Sequence, residues 1–106
     1  MPKYLFQSNY TSEGVQGLLK EGGSSRRAAT EKLLKSVGGK LEAYYYAFGY
    51  TDVYVIADLP DNASAAAVAL TVSGAGTSTV KTTVLMTPEE VDVATKKKTE
   101  FRPPGK

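Results

Sequence analysis

The sequence predicts one α+β domain whose elements run β, broken α, β, β, α, β and close with a short helix. Three observations carry that expectation. Stretches alternating in tyrosine, phenylalanine and β-branched residues have strand character. Others place apolar residues at helical spacing. Glycine pairs and a Pro-Asp-Asn stand where one pattern gives way to the next.

The first strand runs from Lys3 to Tyr10, with Tyr4, Phe6, Ser8 and Tyr10 alternating against Leu5, Gln7 and Asn9. Thr11 or Ser12 then caps a helix whose first turn holds Glu13, where the dipole favours an anion. Val15, Leu18 and Leu19 form its apolar stripe, and Gly22-Gly23 stops it. Ala28, Ala29, Leu33, Leu34 and Val37 resume helical spacing up to Gly38-Gly39. A broken helix over Ser12 to Val37, hinged at the glycine pair, is expected.

Lys40 to Phe48 is the second strand. Strict alternation sets Leu41, Ala43, Tyr45 and Ala47 against Glu42, Tyr44, Tyr46 and Phe48. The third, Val53 to Leu59, is apolar on both faces, with Val53, Val55, Ala57 and Leu59 against Tyr54 and Ile56. A strand patterned this way is covered twice. Pro60-Asp61-Asn62 breaks it, and Asp61, Asn62 or Ser64 caps a helix of Ala63 to Val72. Thr79 to Met86 is a fourth strand, and Pro88 after Thr87 marks a last helix start.

This order fits a ferredoxin-like fold, a four-stranded antiparallel sheet with both long helices on one face. The opposite face would then carry Glu42, Tyr44, Tyr46, Phe48, Tyr54 and Ile56. A patch that apolar is rarely left to water, so a homodimer joined through the sheets is expected.

Composition narrows the chemistry. The 106 residues suffice for one core, placed at residues 1–94, with 95–106 as a basic tail expected to be disordered. There is no cysteine and no histidine. Disulfides, thiolate metal sites, cysteine nucleophiles and histidine triads are thereby excluded, and no metal or cofactor is expected. No apolar run reaches the ~20 residues of a membrane span, and no signal peptide is read, so a cytoplasmic protein without a membrane partner is expected.

The net charge of +2 divides unevenly. After Val93 stand five basic residues and one acidic, leaving 8 basic against 10 acidic in the body. Such a body lacks the footprint of a nucleic-acid binder.

Several sequence pieces resemble the GYD-domain family. They are Thr11-Ser12-Glu13-Gly14-Val15, Val37-Gly38-Gly39-Lys40-Leu41, Phe48-Gly49-Tyr50-Thr51-Asp52-Val53 and Thr87-Pro88-Glu89-Glu90. The resemblance extends from Tyr4 to about Val91. Gly49 and Asp52 match the motif of glycine, any residue, tyrosine and aspartate; Thr51 stands at the tyrosine position, with Tyr50 beside it. The resemblance implies a dimeric α/β barrel built from two such sheets, and implies no particular activity.

The candidate ligand-binding residues are Tyr44, Tyr46, Phe48, Tyr50, Tyr54 and Glu42, read either as packing or as the lining of a cavity between the two sheets. Asp52 and Tyr54 are the candidate catalytic residues; the bland reading of Asp52 is a turn residue bonding nearby N–H groups. Arg26-Arg27 is either a carboxylate or phosphate grip or a solvated helix start. No phosphate-loop motif occurs.

The favoured function is a dimer that binds a small apolar or aromatic metabolite, or an interaction module. The alternative is a cofactor-independent enzyme, oxygenase- or isomerase-like, acting on an activated carbonyl compound. A third reading, an RNA-binding sheet, lacks the aromatic signature on its third strand.

Overall fold

A computed structural model describes residues 1–106. The elements are β1 (Lys3–Tyr10), α1 (Ser12–Glu21), α2 (Gly23–Ser36), β2 (Lys40–Tyr46), β3 (Val53–Asp58), α3 (Asn62–Gly74), β4 (Ser78–Leu85) and α4 (Pro88–Thr95). The strands form one antiparallel sheet in the order β2-β3-β1-β4. This is the ferredoxin-like arrangement, in which the two strands of each βαβ unit stand one strand apart.

The helix ends follow from local chemistry. Thr11 caps α1 by accepting the Gly14 N–H, and its own N–H donates to the Thr77 carbonyl at 3.0 Å. Gly14 lets α1 approach the α3–β4 loop closely: a Cβ there would stand 1.9 Å from the Thr77 oxygen. Gly22, at φ 85°, ends α1 in a conformation that L side chains rarely adopt, and α2 starts at the next residue. Asp61 caps α3 by accepting the Ser64 N–H at 2.8 Å. Thr87 and Glu90 cap α4 reciprocally in a capping box.

The core lies between the sheet and α2 and α3. Tyr4 and Phe6 of β1 and Val53, Val55 and Ala57 of β3 meet Leu34 of α2 and Ala65 and Val68 of α3. The Tyr4 hydroxyl donates to Asn62 Oδ1 at 2.6 Å, tying β1 to the start of α3. Every residue from Pro88 to Lys106 is exposed, so α4 and the chain beyond it lie outside the packed body. No helix is long and apolar enough to cross a membrane.

β2 departs from the sequence reading. Leu41 stands opposite Ala57, yet Ala43 stands opposite Ile56, so Glu42 is an extra residue in a β-bulge. The bulge shifts the phase of everything after it. Tyr44 and Tyr46 pair with Val55 and Val53 on the helix-covered face, and Tyr45 joins Tyr54 on the open one. Strict alternation places Tyr44 and Tyr46 beside Glu42 and Tyr54; the bulge puts them on the opposite face.

Candidate functional site

A chamber of about 110 Å³ lies inside the chain, between the sheet and α2 and α3. Phe6, Val53 and Val55 give it an apolar sheet-side wall, and Leu33 and Val68 face them from the helices. Ser8, Thr30, Ser78, Arg26 and the rings of Tyr10 and Tyr44 bring polar atoms to it. A cavity of roughly 150 Å³ lined by apolar side chains takes up benzene, so this chamber is close to the size of one ring.

The tyrosines arrive there by strand parity. Tyr10 shares the helix-covered face of β1 with Phe6, and the bulge brings Tyr44 and Tyr46 to the same side. Tyr44 and Tyr46 meet edge to face, with centroids 5.4 Å apart, and their hydroxyls stand 3.5 Å apart. The Tyr46 hydroxyl donates to the Gly23 carbonyl at 3.1 Å, locking β2 to the first residue of α2. Phe48 stacks on Tyr46 at 5.5 Å. It takes a positive φ of 54°, which few non-glycine residues adopt.

Burial pushes the Tyr44 phenol far above the usual tyrosine value, and the neighbouring Tyr46 and Tyr10 add to the shift. Tyr10 is raised too, by burial first and Tyr46 next, with Arg26 acting the other way. Both phenols stay protonated at neutral pH, so each can present an O–H donor to a ligand oxygen.

The chamber opens toward a second space of about 270 Å³ between α1, α2 and the end of α3. Tyr10, Arg26, Val72 and Ser78 border both and form the threshold. Glu13, Gly17, Leu18 and Glu21 line the outer cleft. Gly17 is a helical residue whose absent side chain would meet nothing within 4 Å. Packing does not require glycine there, and a glycine in a helix interior is costly; its effect is to leave the cleft open.

The other sequence candidates fall elsewhere. Tyr54 and Glu42 lie on the open face with Leu5 and Ile56. There Lys3 binds Glu42 at 2.5 Å and Asp58 at 2.9 Å, which raises the Lys3 pKa. Tyr50 is 88% exposed, with the Lys81 ammonium 5.8 Å from its ring centroid. Thr51, at the motif's tyrosine position, is buried and accepts from Gln7 Nε2 at 3.3 Å. The exposed Tyr50 therefore does not take the place that Thr51 fills.

Asp52 accepts the Tyr10 N–H at 2.9 Å, and its own N–H donates to Asn9 Oδ1 at 2.9 Å. These bonds tie the loop before β3 to the end of β1; the carboxylate serves a backbone N–H, as in the turn reading, but one on a distant strand and not in its own turn. The single cluster expected from sequence is thus two: Tyr44, Tyr46 and Phe48 on the helix side, and Tyr54, Glu42 and Tyr50 outside it.

Sequence reasoning did not select Tyr10, although its parity with Phe6 was available as a signal. Arg26 was weighed only as one of a charged pair. Ser8 and Ser78 carry no local motif; the register of β1 with β4 alone brings them to the chamber. No three acidic side chains, the only ligand types of that class in this sequence, converge to hold a metal ion.

No curated protein and no solved structure matches the chain. The model of the GYD domain does match, over residues 4–95. Those residues include the strand bearing Tyr10, the helices around the cleft, the bulged strand and the Gly49–Asp52 loop, and the chain belongs to the GYD-domain family.

Proposed function

We propose that this protein is a homodimeric binding domain that holds a small apolar or aromatic metabolite in the chamber beneath α2. The observation that carries the reading is the composition of that chamber: an apolar wall of ring size with protonated phenols at one side. Pockets that bind small molecules combine mostly apolar lining with a few placed polar groups. The outer cleft brings the available space toward the ~300–1,000 Å³ of such sites.

The open face serves the dimer in this reading. Leu5, Tyr54 and Ile56 form its centre with no helix over them, and a second sheet would cover them in the manner of a dimeric α/β barrel. Tyr54, Tyr50 and Glu42 then belong to the interface region, and Tyr10 and Tyr44 to the ligand.

The test is thermal stabilisation by a panel of small aromatic compounds, in the parent and in Ala29→Leu. Ala29 lines the chamber from α2, and leucine keeps helix propensity while filling space. Stabilisation of the parent that disappears in Ala29→Leu is expected. Equal stabilisation of both would place the ligand elsewhere.

A catalytic role has one observation in its favour: donors such as the Tyr10 and Tyr44 phenols can polarise a carbonyl oxygen. Turnover of a bound carbonyl compound that falls in Tyr44→Phe, with binding retained, would establish it.

A further inference from the structure

We propose that the ligand is an aromatic monocarboxylate, with its ring in the chamber and its carboxylate on Arg26 in place of Glu21. The inference rests on the binding reading above and names the ligand class for that site.

Arg26 stands at the threshold, bordering both the apolar chamber and the outer cleft. A group seated in the chamber that ends at this point ends against a guanidinium. Its only ion pair is with Glu21, Nη1 to Oε2 at 3.7 Å, too long for a hydrogen bond. The fork that matches a carboxylate in bidentate fashion is therefore unused. Both partners are more than a third exposed, and such pairs contribute little, so an incoming carboxylate displaces Glu21 easily.

Two further groups converge on the threshold. Ser78 is 7% exposed and borders both spaces, yet its hydroxyl takes part in no hydrogen bond of the chain. The Tyr10 phenol, kept protonated by burial, supplies a neutral donor beside it. A guanidinium, a phenol and a free hydroxyl around one point are donors for one anionic oxygen pair.

The surrounding charge limits the ligand to a single negative charge. Glu13 and Glu21 line the outer cleft with Arg26 as its one cation, so a phosphate dianion or a dicarboxylate would meet repulsion beyond the threshold. The chamber limits the apolar part to about one ring.

Calorimetric titration of the full chain with benzoate, phenylacetate, benzyl alcohol and benzylamine tests the proposal. The carboxylates are expected to bind at least ~10-fold more tightly than the alcohol, as a charge-assisted bidentate contact implies. Arg26→Gln should remove that preference and leave the alcohol unaffected. Glu21→Gln should tighten the carboxylates several-fold, because it removes their competitor. Melting curves of both unliganded variants verify that they fold.

Carboxylate and alcohol bound equally, or a preference for the amine, would overturn the monocarboxylate assignment while leaving an apolar site in place. An Arg26→Gln variant with the parent's preference would overturn the role of Arg26. If none of the four compounds binds, the assignment falls; if toluene and phenol also fail to bind, the binding reading falls with it.

Discussion

At the scale of single residues, Tyr44 is the most consequential side chain of the chamber. Its phenol has a higher pKa folded than unfolded, so the neutral form favours the fold. The stability it lends is complete below the unfolded value of about 10 and is lost as pH climbs toward the folded value. The parent should lose stability above about pH 10, and Tyr44→Phe should lose it less steeply. Denaturant titrations on either side of that pH measure the two slopes, and parallel slopes would clear Tyr44 of the effect.

Asp52 acts through its backbone partners. Asp52→Ala strips the Tyr10 N–H of its acceptor and should cost about 1–3 kcal/mol in urea unfolding. A loss below a few tenths would show that the loop is held by other contacts. That the Asp52 carboxylate serves a backbone N–H was legible in the sequence, but its partner was not, because a turn aspartate bonds its own loop and Tyr10 lies 42 positions earlier. The partners of Arg26 were not legible, since a charge at a helix start looks the same whether it faces solvent or a cleft.

At the scale of elements, α1 offers a paired comparison within one helix. Gly14→Ala places a methyl against the Thr77 carbonyl and should destabilise the fold by about 1–3 kcal/mol. Gly17→Ala meets nothing and should stabilise it by up to about 1 kcal/mol. Chemical denaturation of the two variants decides whether close approach or propensity governs each site; equal effects would contradict the packing described for α1.

The elements were well marked in the sequence. β1 has the limits its alternation predicts, and the break at Gly22 falls where the glycine pair predicts it. What alternation missed was the bulge, because an inserted residue leaves no compositional trace when its neighbours suit either face. Glu42 finds its reason in Lys3, which lies 39 positions earlier.

At the scale of the whole molecule, only 12 of 106 residues are buried. The Cα radius of gyration is 17.0 Å, against about 13 Å for a compact chain of this length. The exposed stretch from Pro88 onward accounts for part of that extension. A sheet whose second face covers nothing accounts for the low burial. The chain should therefore sediment as a dimer at micromolar concentration, and Ile56→Lys, at the centre of the open face, should shift it toward monomer and lower its melting temperature. A monomeric parent with an unchanged Ile56→Lys variant would contradict the pairing. The apolar third strand made an uncovered sheet face legible in the sequence, although which rings lie on that face depended on the bulge.

That extra residue has a genetic corollary. Deleting the codon for Glu42 would remove the one residue of β2 that stands outside the ladder and leave every other pairing as it is. Leu41 and Ala43 would become neighbours opposite Ala57 and Ile56, so Tyr44 and Tyr46 would still face inward and Tyr45 outward, in a strand that now alternates without interruption. A relative that lacks a residue here would keep the same rings on its inner face, so positions beyond the gap are matched by register and not by counting from Leu41.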